Sequence, residues 1–367
     1  MHKRVLLALL GALALVCGAC KSVPSWIPGS NSAPARLDAE EVPAAIERAQ
    51  KDLAAGRTES ALDWMRAATA AKNLPTDQRE EVQRVLEQAA SKRISELSAP
   101  GQDPEALADL VDLELPRQIA VEAGLAAARA QIANGNRMDA FRLLRKLDKK
   151  FPLHHEKQAA GDMIVEIGIA LAKQHKSFLI FYSTDSQAED VLEYAILEHP
   201  WARRGDEAHK VLADLYIRHH DLDLAIERLD KLKLDHPDSE LLPAARALMP
   251  ELRLRLLRSP EMDRGTLLKA EDEFKNWLRD YPPEHELAAH VGVQLGDCLR
   301  RLCDSDLAIA GYYRTIENPF SVRFHARRAI EEAREAGDSE RIARAQAMID
   351  ALPPPDPSKP TPPGAAP

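Results

Sequence analysis

The sequence predicts an all-α protein assembled from repeated helical hairpins. Composition is the first observation. Only 5% of the 367 residues are aromatic, while Ala, Leu, Arg and Glu abound, and these are strong helix formers. The second observation is a register. Four prolines follow a charged residue and a large one: Lys150-Phe151-Pro152, Glu198-His199-Pro200, Asp235-His236-Pro237 and Asp280-Tyr281-Pro282. Each lies 12 residues after an alanine: Ala140, Ala188, Ala225 or Ala270. Proline cannot continue a helix and forces its predecessor out of the helical region. Each therefore closes an amphipathic helix that begins near its alanine. Such a unit cannot bury both faces alone, so the copies must stack.

In chain order, residues 1–19 read as a cleaved leader. His2, Lys3 and Arg4 are followed by an apolar run over 5–16. That run falls short of the ~20 residues a bilayer span needs. Cys17-Gly18-Ala19-Cys20 resembles the lipobox of bacterial lipoproteins, although Cys17 stands where that motif usually has Leu. The resemblance implies acylation of Cys20 as the new N-terminus. More than one buried acyl chain, at ~0.8 kcal/mol per CH₂, would anchor it stably. The other reading is an ordinary signal peptide cut near Ala19. Lys21 stands where Asp would retain an enterobacterial lipoprotein in the inner membrane, which points to the periplasmic face of the outer membrane. Residues 20–38 are rich in Pro, Ser and Gly and read as a flexible tether.

Residues 39–155 read as N-terminal helical repeats. A degenerate copy starts near Pro43, with Ala49, Ala61, Met65 and Ala68. Residues 76–97 and 104–117 read as helices without a clear register. A better copy spans 121–152, with Ala128, Ala140, Leu144, Leu147 and Pro152. The remaining repeats occupy 156–352, with expected insertions at 177–183 and 259–265. Ser186 and Glu189 form a capping-box pattern that should restart a helix. The clearest copy is 206–239. There Leu212 and Ala213 allow close helix approach, Tyr216 follows one turn later, and Ala225, Leu229 and Pro237 supply the small, core and stop residues of the second helix. Asn318-Pro319 interrupts the last copy. The final segment, 353–367, is PPPDPSKPTPPGAAP and reads as a disordered or polyproline tail.

This pattern resembles the tetratricopeptide repeat, a helix-turn-helix unit of about 34 residues that stacks into a solenoid. Residues 178–181, 188–193, 199–202 and 206–208, together with Leu302-Cys303-Asp304-Ser305-Asp306-Leu307-Ala308-Ile309-Ala310-Gly311-Tyr312-Tyr313, are similar to BamD-type lipoproteins. Those belong to the machine that inserts β-barrels into outer membranes. The similarity covers about residues 160–330. The family starts its repeats soon after the lipidated cysteine, whereas here more than 100 residues of helix come first.

The chemistry-bearing residues form no catalytic pattern. There is no Gly-rich phosphate loop, no nucleophile elbow and no His-Glu-x-x-His. His154-His155 and His219-His220 are adjacent pairs, which diverge by about 100° on a helix and do not chelate together. No cofactor or metal is expected. His199 and His236 share the position of Phe151 and Tyr281 and read as structural. Cys298 and Cys303 are five apart in one helix or at its end, either as buried thiols or as a local disulfide beside a helix break. The net charge of −9 argues against nucleic acid as the main partner. Tetratricopeptide arrays bind proteins along the face lined by first helices. The resemblance therefore implies protein contacts at Lys210, Asp214 and Ile217, and at Leu125, Arg129 and Ile132. The expected function is a non-catalytic, membrane-anchored scaffold in β-barrel assembly. The alternatives are a scaffold for pili, secretion or cell-wall coordination and, as a different class, a helical cell-wall enzyme such as a lytic transglycosylase.

Overall fold

The computed structural model describes residue 33 and residues 36–99, 102–113, 115–174, 184–257 and 263–354. The leader, Cys20 and most of the expected tether lie outside the described residues. So do the 177–183 insertion, residues 258–262 and residues 355–367. The described residues form one 3-10 turn and fifteen α-helices, with no strand among them. The chain divides into two compact units between His154 and His155.

The described residues of the first unit reach into the expected tether. Leu37 is buried, and the Asp38 N–H donates to Glu41 Oε2 at 3.0 Å across the turn Ala39–Glu41. Six helices follow: α1 Val42–Ala54, α2 Thr58–Thr69, α3 Thr76–Leu97, α4 Pro104–Asp112, α5 Arg117–Ala133 and α6 Arg137–Lys150. Ala49, Ala61, Met65 and Ala68 of the degenerate copy are all fully buried where α1, α2 and α3 meet. α3 spans the residues expected of it. α4 stops at Asp112 and not at 117, because Pro116 excludes its predecessor from the helix and starts α5 afresh.

The second unit contains α7 Lys157–Gln174, α8 Thr184–Glu198, α9 Gly205–Arg218, α10 Leu222–Asp235, α11 Leu242–Leu256, α12 Arg264–Asp280, α13 Ala288–Thr315, α14 Pro319–Glu335 and α15 Ser339–Asp350. Each helix packs on the next, and α7 also meets α9 as α11 meets α13. Consecutive hairpins thus share a core. α8 is already helical at Thr184, so Ser186 lies within its first turn and does not cap it as the sequence pattern suggests. Residues 263–265 likewise belong to the start of α12. The Asp263 carboxylate caps it by accepting from the Thr266 N–H at 3.0 Å.

Two kinds of punctuation build the hairpins. Within α1–α2, α5–α6, α9–α10, α13–α14 and α14–α15, the middle residue of a three-residue turn is left-handed: Gly56, Gly135, His220, Glu317 and Gly337. The residue after each donates its N–H five residues back, as from Asn136 to the Gln131 carbonyl at 2.9 Å and from Asp221 to the Tyr216 carbonyl at 2.8 Å. This is a Schellman-type close, which satisfies carbonyls the helix end leaves free. The second kind is the proline stop. Phe151 and His236, each before a proline, have ψ of 69° and 64°, and Tyr281 has ψ of 148°, all outside the helical region.

The alanine register is the core. Ala140, Ala188, Ala225 and Ala270 are fully buried. So are the residues four later (Leu144, Leu192, Leu229 and Phe274) and seven later (Leu147, Ala195, Leu232 and Trp277). Close approach is literal in places: a Cβ at Gly124 would lie 2.5 Å from Leu147 Cδ1. Ala213 and Ala225 are both fully buried between α9 and α10. Ala213→Phe is therefore expected to overpack that crossing and cost about 1–3 kcal/mol. A thermal melt unchanged by the substitution would remove Ala213 from the crossing.

Candidate interaction surface

α9 presents Lys210, Asp214 and Ile217 at spacings of four and three, on one face and all partly buried. Lys210 and Asp214 neutralise each other, with Nζ 2.6 Å from Oδ1 and 2.7 Å from Oδ2. That face therefore offers a closed ion pair beside an aliphatic side chain. Beneath it, the buried Tyr216 hydroxyl donates to Glu193 Oε1 at 2.9 Å, and Arg228 Nη2 donates to the same oxygen at 2.6 Å. Burial and the neighbouring glutamates raise the Tyr216 pKa above the ordinary phenol range. This clamp ties α8, α9 and α10 together, so the α9 face is held rigidly.

At the start of the same hairpin, the His209 ring lies 5.7 Å from that of His236, and its Nε2 is 3.8 Å from Asp235 Oδ2. Burial, and then the adjacent His236, lower the His209 pKa from 6.5 to about 4. The folded state thus resists protonating this ring, whereas the unfolded chain does not. Stability from this site is fully present above pH ~6.5 and is lost as pH falls toward 4, by roughly 3 kcal/mol at most. His209→Leu keeps the volume and removes the titration. Its urea midpoint is expected to fall less than the parent's between pH 7 and pH 4.5, and equal falls would refute the assignment. The cavity beside these rings is about 50 Å³, lined by Val165, Ala195, His199, Gly205, His209 and His236. That is room for little more than a water.

In the first unit α5 does not behave as the α9 pattern implies. Leu125 is 2% exposed and belongs to the core. α5 packs against α3, α4 and α6, so the face that a first helix would leave open is already covered there. Leu125 is therefore not a contact residue. Arg129 is exposed and Ile132 half-buried, and both stay available. A broader concavity of about 440 Å³ lies over α1 and α2 among Glu47, Arg48, Lys51, Asp52, Arg57 and Ser60. Its centre is structural: buried Asp52 accepts from Ser60 Oγ at 2.7 Å and from Arg57 Nε at 2.9 Å. These donors, led by Ser60, outweigh burial and hold the Asp52 pKa below the usual carboxylate range.

A cluster that sequence reasoning missed sits where α12, α13 and α14 meet. Asp306 is fully buried on α13. Arg264 Nη1 lies 2.8 Å from its Oδ2, His325 Nδ1 lies 2.7 Å from its Oδ1, and Arg328 Nε approaches Oδ2 at 3.7 Å. Arg264 also holds Glu332 at 2.9 Å. Burial, and then the like charge of Asp306, push the Glu332 pKa up to about 7 against the pull of Arg264. In sequence, Asp306 stands among the acidic residues of the 302–313 stretch, and its type alone does not mark it as buried. The only available signal is that it falls between Cys303 and Ala310, on the apolar side of α13.

The register decides the architecture: Leu212, Ala213, Tyr216, Ala225, Leu229 and the Pro237 stop occupy their expected places in the α9–α10 hairpin, with all five non-proline residues buried. The fold is of tetratricopeptide type. No protein-family model matches the chain, and no curated protein matches it. Among solved structures, the chain is similar to TTC0263, a thermophilic tetratricopeptide protein of Thermus thermophilus, at 18% identity over 70% of this chain and 98% of that one, with a TM-score of 0.27. A tetratricopeptide repeat protein from Parabacteroides merdae matches at 13% identity over 85% and 99%, with a TM-score of 0.23. The tetratricopeptide domain of P58(IPK) matches at 15% identity over 84% and 98%, with a TM-score of 0.26.

Within this array of helical hairpins, His154 and His155 fall on opposite sides of the unit boundary, and His219 and His220 lie in the α9–α10 turn. Among the described residues, no group of three or more His, Cys, Asp or Glu is placed to hold a metal ion. No described helix is long and apolar enough to cross a membrane. Cys298 and Cys303 are buried free thiols within α13.

Proposed function

We propose that this chain is a non-catalytic scaffold lipoprotein, anchored through Cys20 to the periplasmic face of the outer membrane, that helps assemble β-barrel proteins. The observation that carries the protein-binding part is the rigid α9 face with Lys210, Asp214 and Ile217, built on the Glu193–Tyr216–Arg228 clamp. Arg129 and Ile132 on α5 are the corresponding contacts in the first unit. The barrel-assembly part is supported by the BamD-like residues at 178–208 and 302–313, the latter lying on α13. An acidic chain with an ion-paired face favours docking by apolar contact and hydrogen bonds over a phosphate clamp.

Depletion should lower several unrelated outer-membrane barrels together, and a photo-crosslinker at Ile217 or Arg129 should capture a barrel-assembly component. Normal barrel levels with captured pilus or cell-wall proteins would replace the reading with a scaffold for another envelope system. The six helices of the first unit, from Val42 to Lys150, favour that second reading, because they precede the region of BamD similarity. Cys20→Ser should release the mature protein from membranes, whereas an unmodified soluble wild type would overturn the anchor.

A further inference from the structure

We infer that the α13–α14 corner is a second docking surface, distinct from the α9 face, whose partner is an acidic peptide segment carrying apolar side chains. Four large apolar residues are exposed there: Tyr312 at 61%, Ile316 at 52%, Phe320 at 39% and Phe324 at 40%. A chain of ring contacts joins the first of them to the last. Tyr312 contacts Tyr313 at 5.6 Å between ring centroids, Tyr313 stacks on His325 at 5.6 Å, and His325 meets Phe324 at 5.1 Å. Ile316 and Phe320 lie one helical turn from Tyr312 and Phe324, on α13's end and α14's start.

Charge selects the occupant. Residues 319–330 contain Arg323, Arg327 and Arg328 and no carboxylate, in a chain of net charge −9. The Arg328 guanidinium lies 5.7 Å from the Phe324 ring centre while its Nε faces buried Asp306 at 3.7 Å, so it edges the ring more than it offers free charge. Arg323 is bonded to the Pro353 carbonyl, whereas Arg327 is exposed and has no acidic partner among the described residues. Exposed Glu317 bounds the stripe in the turn and Glu331 at its far end, so the three arginines still outnumber the acids. Aromatic rings edged by arginine are the side chains that dominate binding energy at protein interfaces, and guanidinium pairs with carboxylates in a fixed geometry. The rings are also preorganised: buried Asp306 fixes the His325 ring that joins Tyr313 to Phe324, so little side-chain freedom is lost on binding. Phe320 and Phe324 lie flush at about two-fifths exposure, which suits side chains laid across them more than insertion into lipid.

The test uses the purified full chain and a labelled twelve-residue peptide alternating Leu or Phe with Asp or Glu, read by fluorescence anisotropy. The acidic peptide should bind at least ~10-fold more tightly than its lysine counterpart or one with serine at the apolar positions, a difference of ~1.4 kcal/mol. Arg327→Glu and the pair Phe320→Ser with Phe324→Ser should each weaken binding ~10-fold or more while circular dichroism stays unchanged, and Ile217→Ser on α9 should not. Equal binding of acidic and basic peptides, or variants that bind like wild type, would overturn the proposal. Three other outcomes would also overturn it by assigning the surface elsewhere. These are anionic phospholipid vesicles bound through Phe320 and Phe324, self-association lost in Phe324→Ser, or peptide binding gained only when the chain ends at Pro354.

Discussion

Trp277→Ala is expected to lower the stability of the second unit by about 3–5 kcal/mol, the range for emptying a large buried site. Trp277 is fully buried at the register position seven residues after Ala270, where other copies carry Leu or Ala. Its ring packs at 4.7 Å from Tyr281 and 5.1 Å from His285, and its Nε1–H donates to the Pro243 carbonyl at 2.8 Å. Alanine removes the ring and leaves that carbonyl without its donor. Trp277→Phe keeps most of the volume but loses the bond and part of the ring, so its cost should be nearer the ~1–3 kcal/mol of an unsatisfied buried group. Urea unfolding followed by near-ultraviolet dichroism separates the two. Because the chain has two units, the midpoint of the second unit is the quantity to compare. A Trp277→Ala midpoint within error of wild type would show that α11 and α12 are not joined through this ring.

Asp306→Ala should be comparably severe, about 3–5 kcal/mol, because it strands Arg264, His325 and Arg328 around an empty buried site. Asp306→Asn keeps the shape and should cost less. The pH dependence separates charge from packing. Glu332 has a folded pKa raised to about 7, from 4.5, so its stabilising contribution is present below pH ~4.5 and lost as pH rises through 7. Removing the like charge of Asp306 lowers that folded pKa. The loss of stability between pH 5 and pH 8 should therefore be smaller in Asp306→Asn than in wild type. An unchanged slope would mean that the two carboxylates do not interact.

Local sterics make much of the fold legible. A residue before proline must leave the helix, and an alanine is needed where helices cross, so Ala140, Ala188, Ala225 and Ala270 carry the register on their own. The helix from Thr76 to Leu97 is legible for the same reason, bounded by Pro75 and carrying regular apolar positions. Leu125 is not, because its burial depends on α3 and α4 covering α5, and no spacing within 121–152 reports that. Ser186 misleads because a capping pattern inside a helix looks like one at its start. The Asp306 cluster is illegible for a third reason. Its members, Arg264, Asp306, His325 and Glu332, come from three helices, and each alone looks like an ordinary surface charge. Tyr312 and Tyr313 stand out in the sequence as a family-like pair, but their union with Phe320 and Phe324 exists only once the α13–α14 turn is closed.

The two thiols inside α13 have a kinetic implication. Burial pushes the Cys298 and Cys303 pKa values up to about 12, so in the folded protein neither is a thiolate at neutral pH and neither is accessible to an oxidant. The unfolded chain has no such protection. There a bridge between residues five apart closes a short loop, and it would forbid the continuous helix that carries both. Wherever folding takes place under oxidising conditions, α13 must therefore coil before its thiols find each other. A chain that loses this race is trapped in a cross-linked form that only a reductant or isomerase can release. In refolding with oxidised glutathione, yield should accordingly rise with added dithiothreitol in wild type and rise less in Cys303→Ser, a race between helix formation and oxidation written into one 28-residue element.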